Sequence, residues 1–327
     1  MIHVTILASP CSNLGSIDNP RRGFLFVNDC LARQGLPPLF HVQMVGTQRA
    51  ISINNGLYTL HTDALYSEIR KTDLIIWPAF DGGFEEGIEQ NAAFVPWVIK
   101  QYKQGAELAS LCVGAFLLAS TGLLEGKNCS THWRAVHDFR RLFPQVQLVA
   151  DKIITDEQRI YTSGGAFSSA NLIVYIIQKY AGRELAVHCA KIFQIDMDRQ
   201  WQSPFIIFQG QKDHQDEQVM EVQDFIEKNY REKITVEALS SYVALSRRNL
   251  ERRFKRATTN TIVEYMQRVK IEAVKNYLET GRKTISELMY EVGYSDIKSF
   301  RTVFKKYTGL SPVEYRNKYH GPSLIAN

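Results

Sequence analysis

Residues 234–256 read ITVEALSSYVALSRRNLERRFKR, and residues 283–309 read KTISELMYEVGYSDIKSFRTVFKKYTG. The two stretches are one pattern written twice. Leu239, Val243, Ala244 and Leu245 correspond to Leu288, Val292, Gly293 and Tyr294 at an offset of 49. After the turn the second copy has one extra residue. Leu250, Phe254, Lys255 and Tyr265 therefore correspond to Phe300, Phe304, Lys305 and Tyr315 at an offset of 50. Each copy has the grammar of a helix-turn-helix. Thr235 or Thr284 caps a short helix with an acidic residue in its first turn. A small residue, Ala244 or Gly293, lets the chain reverse, and Ser246 or Ser295 caps the helix that follows.

That following helix docks on Leu250 and Phe254 in one copy and on Phe300, Val303 and Phe304 in the other. Its opposite face is polar and basic: residues 246–256 hold six basic side chains and one acid. A helix that reads DNA needs this arrangement, with apolar residues to seat it and exposed side chains at its N-terminal end to reach base edges. Ser246, Arg247, Arg248 and Asn249 stand at that end in the first copy, where Arg and Asn can pair with guanine and adenine edges. Ser295, Lys298, Ser299 and Arg301 are the counterparts, with Asp296 expected to cap. Arg252, Arg253, Lys305 and Lys306 suit phosphate contacts or ties within the domain. A helix over about 261–279 joins the units, so both are expected to enter successive major grooves, about 34 Å apart.

The 327 residues suffice for two ordinary domains, and 45% hydrophobic against 22% charged residues is the balance of a soluble globular protein. The net charge of +5 is unevenly spread. Up to residue 217 there are 19 Lys and Arg against 21 Asp and Glu; from 218 onward there are 20 against 13. A basic module behind a near-neutral one points to a polyanion-binding part and a part with another task, although a solvated basic surface gives the same count. The five cysteines (Cys11, Cys30, Cys112, Cys129, Cys189) are scattered, with no C-x-x-C pair or His/Cys cluster. No disulfide framework, metal site or cofactor is expected, and reduced thiols in a cytoplasm fit. The opening MIHVTILASP reads as a first strand, since no basic residue precedes its short apolar run as in a signal peptide. No run reaches the roughly 18 apolar residues of a membrane span.

Strand patterns at 4–8, 40–45, 74–77, 107–111 and 160–162 alternate with helical patterns at 24–33, 92–104, 115–120 and 170–180. This order predicts βαβ units around a mainly parallel, flavodoxin-like sheet with helices on both faces. Residues 209–217 (QGQKDHQDE) lack any aliphatic or aromatic residue and read as a linker. Beyond them only helical periods occur. The expected organisation is therefore an α/β domain over 1–205, a linker over 206–217 and an all-α domain over 218–320.

The helical region resembles the AraC/XylS family of transcription regulators. The second copy carries the resemblance, in Val292-Gly293-Tyr294-Ser295, Phe300, Phe304-Lys305, Gly309, Ser311-Pro312 and Tyr315-Arg316. The first copy departs from that pattern, with Thr259 where a Gly is common and Ile262 where a Pro is common. The first domain shows Ala109-Ser110-Leu111-Cys112-Val113-Gly114-Ala115, a strand running into a helix with a cysteine at the turn, as in a nucleophile elbow. With Thr131-His132-Trp133 and Tyr161-Thr162-Ser163-Gly164-Gly165, this resembles the PfpI/ThiJ domains of the class I glutamine-amidotransferase-like fold, specifically those fused to AraC-type domains in GlxA-like regulators. Asn171 stands where that subfamily often carries Asp.

Enzymes of this fold pair the elbow cysteine with a histidine and an acid. Cys112 and His132 supply two of the three, and the helix N-terminus would favour a thiolate. Residues 9–23 offer no Glu and only Asp18 as an acid. Three readings stand: a packed, inert cysteine in a non-enzyme, a cysteine-dependent hydrolase or amidase, and a thiol redox sensor. Ligands of open α/β sheets sit outside the carboxyl ends of the strands. The expected effector pocket therefore contains Ser9, Phe80, Asp81, Gly82, Cys112, His132, Trp133, Ser163 and Gly164. Backbone N–H groups of Asp81-Gly82-Gly83 are anion-donor candidates, and Trp77, Phe80, Phe84 and Trp133 could cage an alkylammonium group. The resemblance implies a regulator, more often an activator, that answers to an amino-acid or amine-derived metabolite. It implies promoter DNA, a second copy of the chain and RNA polymerase as partners.

Overall fold

The computed structural model describes residues 1–212, 214–281 and 283–320. It divides into two compact units, Met1–Gln202 and one that begins at Ser203.

In the first unit β1 (Ile2–Ala8) is buried along its last five residues, as a central parallel strand covered on both faces must be. Asn13 then starts α1 (Leu14–Arg33), its Oδ1 accepting from the Ser16 N–H at 3.2 Å. The helix begins ten residues before the pattern expected from Phe24, because Gly15, Pro20 and Gly23 look like breakers in isolation. Gly23 suits close packing: a Cβ there would lie 3.0 Å from the Ile173 side chain, which would have to give way. Next come β2 (Phe40–Gly46), the hairpin β3 (Ala50–Ile53) and β4 (Tyr58–His61), β5 (Ala64–Leu65), β6 (Leu74–Trp77), α2 (Phe84–Asn91) and α3 (Val95–Lys103). The chain continues through β7 (Glu107–Ser110), α4 (Gly114–Ala119), β8 (Asn128–Cys129), α5 (Val136–Leu142), β9 (Gln147–Leu148), β10 (Ile154–Glu157) and β11 (Ile160–Ser163). It closes with α6 (Ser169–Ile192), broken at Gly182, which adopts φ 83°.

Among the described residues the main sheet has seven strands in the order β10-β11-β7-β6-β1-β2-β5. All its pairings are parallel except β10 with β11. One buried apolar cluster lies on the side of α1 and α6, the other on the side of α3 and α4, giving the flavodoxin-like α/β sandwich. Successive strands leave β1 in opposite directions, so the strand order reverses between β1 and β6. The crevice outside those two carboxyl ends is where such a sheet binds ligands.

The second unit is all helix among its described residues: α7 (Glu217–Asn229), α8 (Val236–Tyr242), α9 (Arg247–Thr258), α10 (Ile262–Thr280), α11 (Ile285–Glu291), α12 (Ile297–Thr308) and α13 (Pro312–Tyr319). The segment expected to be a linker is largely pinned to this unit, and Ser203 to Phe205 side with it too. Phe208 packs in its core and donates its N–H to Glu272, Lys212 bridges to Asp224 and Glu227, and Asp216 caps α7. Polar composition signalled a linker, but these polar side chains are spent on ion pairs. Asp213 of that segment lies outside the described residues.

The sequence repeat is a structural repeat. Residues of α7 to α9 and the first half of α10 enclose one core, while the second half of α10 and α11 to α13 enclose another. The Tyr265 hydroxyl donates to Glu227 at 2.5 Å, and the Tyr315 hydroxyl to Glu279 at 2.6 Å. Ser246 caps α9, as expected. The cap of α12 is Asp296 and not Ser295, because the extra residue shifts the helix start by one.

The left-handed positions repeat as well. Gly293 and Gly309 (φ 74° and 72°) have Ala244 and Thr259 as counterparts (φ 52° and 58°). Thr259 takes the conformation of the glycine it replaces, at the cost that a β-branched residue incurs there. Thr259→Gly should therefore stabilise the helical unit by about 1 kcal/mol, and Gly309→Thr destabilise it by about 1–2 kcal/mol. Urea unfolding of the full chain, followed by helical circular dichroism, measures both.

Candidate functional site

Cys112 sits where β7 turns into α4, with φ 56°, a left-handed conformation costly for any residue with a Cβ. Three contacts hold it. Its N–H donates to Ser163 Oγ at 3.3 Å, its carbonyl accepts from Thr131 Oγ1 at 3.1 Å, and its Sγ accepts from the Ala166 N–H at 3.4 Å. Gly114 is obligatory two residues on, because a Cβ there would lie 2.6 Å from the carbonyl oxygens of Trp77 and Pro78. The sequence therefore folds locally as the elbow it resembles.

Its electrostatics are not those of a primed nucleophile. Burial pushes the Cys112 thiol pKa up, the Ala166 and Val113 N–H groups pull it down, and the Asp81 carboxylate adds to the rise. Desolvation thus outweighs the helix N-terminus that would favour a thiolate. His132 does not hydrogen-bond to Cys112 among the described residues. Its Nδ1 accepts from the Arg134 N–H at 3.0 Å, and burial together with the Arg134 charge lowers its pKa. Gly165 lets the ring lie on the end of β11, since a Cβ there would sit 2.2 Å from His132 Cδ2.

A cavity of about 650 Å³ opens at the strand ends. Of the residues expected there, Phe80, Asp81, Cys112 and His132 line it. Ser9, Gly82, Trp133, Ser163 and Gly164 do not. Ser9 is buried and hydrogen-bonded to Ser12 and Cys11, and Ser163 lies beneath the elbow. Gly164 packs against Gln202, which bonds Gly165 N–H with its Oε1 and the Thr131 carbonyl with its Nε2. The Asp81 N–H is taken by the Cys11 carbonyl at 2.8 Å, so that anion-donor candidate is spent. Asp81 instead brings a carboxylate, accepting from Asn13 Nδ2 at 3.3 Å. Phe84 lines the cavity and stacks on Phe116 at 4.3 Å, whereas Trp77 is buried with its Nε1 3.5 Å from Asn91. Sequence reading missed Asn13, Ser16, Asn19, Arg134 and Phe167 in the lining. The Asn cap of α1 was the signal that could have found the first three.

In the helical unit, the expected DNA-reading residues fall into two groups. Arg247 is exposed but engaged in surface ion pairs, bonded to Glu237 of α8 and to Glu251 at 3.0 Å. Arg253 likewise grips Asp216 at 2.6 Å and Gln218. Arg252 reaches Asn249 Oδ1 at 3.1 Å. By contrast Arg248, Lys298, Arg301 and Lys305 are exposed and make no side-chain hydrogen bond or ion pair among the described residues. Ser246, Ser295 and Ser299 are exposed at the same helix starts.

Two family models match the chain in tandem. The DJ-1/PfpI family covers residues 29–179 and a helix-turn-helix domain covers residues 239–318. Each unit thus resembles a known family, the first the DJ-1/PfpI family and the second helix-turn-helix domains. Among characterised relatives it is similar to the HTH-type transcriptional regulators GbdR and CdhR of Pseudomonas aeruginosa. Identity to GbdR is 26%, over 70% of this chain and 63% of that protein. Identity to CdhR is 24%, over 80% and 77% respectively. The match thus spans less than two thirds of the length of GbdR. A THiJ/PfpI family protein from Pseudomonas syringae has the fold of the first unit, with a TM-score of 0.50 and 16% identity over 61% of this chain and 76% of that one.

The raised thiol pKa has a direct consequence. Iodoacetamide alkylation of Cys112, quantified by peptide mass spectrometry, should follow an apparent pKa above the free-cysteine value of about 8.5. Asp81→Asn removes a negative charge that disfavours the thiolate, so it should lower that pKa and speed alkylation at pH 8.

Proposed function

We propose that the chain is a ligand-responsive, sequence-specific DNA-binding transcription regulator. One observation carries this reading: two copies of a helix-turn-helix stand on duplicated cores, and each second helix bears unpaired cationic side chains on its exposed face. Arg248 of α9 and Lys298 and Arg301 of α12 are assigned to base edges, and Lys305 and Arg252 to phosphates. Ser246, Asn249, Ser295 and Ser299 complete the two contact patches. Arg247 has a structural role.

The elbow cavity is the effector site of this regulator. Asp81 offers a carboxylate to a cationic group beside the rings of Phe80 and Phe84, a setting that suits an amine- or amino-acid-derived metabolite. The protein is assigned no catalysis, since burial pushes the Cys112 thiol toward its neutral form and no base is hydrogen-bonded to it among the described residues. It acts in the cytoplasm as a homodimer, and as an activator it engages RNA polymerase at the promoter.

Gel retardation at several salt concentrations tests the reading. Binding should weaken as salt rises. Arg248→Ala and Lys298→Ala should each cost about 1–3 kcal/mol at a cognate site and much less on random duplex. Arg253→Ala should instead lower the unfolding temperature. Equal losses on cognate and random DNA would reassign Arg248 and Lys298 to phosphate contact, and no retardation of any duplex would overturn the proposal.

A further inference from the structure

A second cavity, of about 460 Å³, lies between α1 and α6 under the segment that follows α6. At about 30 Å³ per water it has the room of about 15 waters, enough for a ligand of roughly a dozen non-hydrogen atoms. Its floor is apolar, made by Ile173, Val174, Cys189, Phe193 and Ile195. The close approach of Gly23 to Ile173 fixes its base, and Asn171 fastens its wall by donating to the Asp196 carbonyl at 2.5 Å.

Three charged side chains line it: Arg22, Arg199 and Asp196. Asp196 already accepts from the Asp198 N–H at 3.0 Å, and Arg199 has interactions within the protein. Arg22 is exposed and makes no hydrogen bond or ion pair among the described residues. An apolar hollow with an uncommitted guanidinium in its lining suits a molecule with an apolar body and one anionic head, and the planar fork of Arg favours a carboxylate.

We propose that this cavity is a second ligand site, taking a small carboxylic acid with an aliphatic or aromatic body. It is distinct from the elbow cavity but shares Asn19 and Phe167 with it. Phe167 follows Ala166, whose N–H contacts Cys112 Sγ. A ligand that moves Phe167 therefore has a route to the thiol.

Isothermal titration of the full chain with 3-phenylpropionate, and with its amide as the neutral control, tests the assignment. The acid should bind saturably at one site and the amide about tenfold more weakly. Ala170→Phe, which fills the cavity from a half-buried lining position, should abolish binding. Arg22→Gln, on the surface, should weaken the acid about tenfold and leave the amide unchanged. Asp81→Asn should have no effect. Absence of binding, equal binding of acid and amide, or unchanged binding in Arg22→Gln would overturn the proposal. Tighter binding of the acid in Asp81→Asn, from lost repulsion between carboxylates, would move the acid to the elbow cavity and equally overturn it. Should Ala170→Phe fail to fold, the Arg22→Gln and amide arms still decide. None of these outcomes bears on DNA binding.

Discussion

Helix α10 is the member on which the helical unit depends. Ile262 and Tyr265, at its start, complete the core of the first helix-turn-helix, and Ile271, Val274 and Leu278, further on, complete the second. At about 1.5 Å per residue its 19 residues make a strut of about 28 Å. Because interiors are close-packed, neither core can slide along it without opening voids. The two second helices are thereby tied to one rigid element. The duplicated tyrosine-to-glutamate hydrogen bonds fix its rotation at both ends, and capping boxes at Thr261 and Ser311 start α10 and α13 in the same way.

The neighbouring helices divide the charges of α9 into paired and unpaired ones, with partners for Arg247 on α8 and for Arg253 at α7. Arg247 and Arg253 lie where a carboxylate of a neighbouring helix or of its cap is within reach, and the fold absorbs them. Arg248, Lys298 and Arg301 are exposed and have no such partner among the described residues. The partly buried tie of Arg253 to Asp216 orients α9 against the cap of α7, the pairs of Arg247 are exposed, and exposed cations left unpaired remain available to a polyanion.

The first unit turns on a single residue's backbone. With φ positive at Cys112, the strand ends abruptly and the thiol meets the cavity that the reversal of strand order creates. The surrounding contacts satisfy the backbone yet leave the sulfur mostly desolvated. A site with the outline of a nucleophile elbow consequently has its thiol pushed toward the neutral form, and the nearest histidine bonds to its own backbone neighbourhood instead.

The sequence by itself determined the fold class, the duplication and the location of the elbow, because these are written in short-range terms. Strand and helix periods, N-caps and the aligned apolar positions of the two copies need no partner to be read. Even Thr259 was visible as a departure from its glycine counterpart, and only its φ was unknown. The long α1 escaped because Pro20 and Gly23 weaken a local pattern that packing on Ile173 overrides. Contacts between distant residues were decided by tertiary structure alone. Glu237 claims Arg247, Asp216 claims Arg253, Gln202 fills the space beside Gly164, and Ser163 and Ser9 lie beneath the pocket they were expected to line. The sequence shows which side chains have the chemistry for a site. Which of them remain unsatisfied, and so free to meet a ligand, depends on the partners that folding brings to each one.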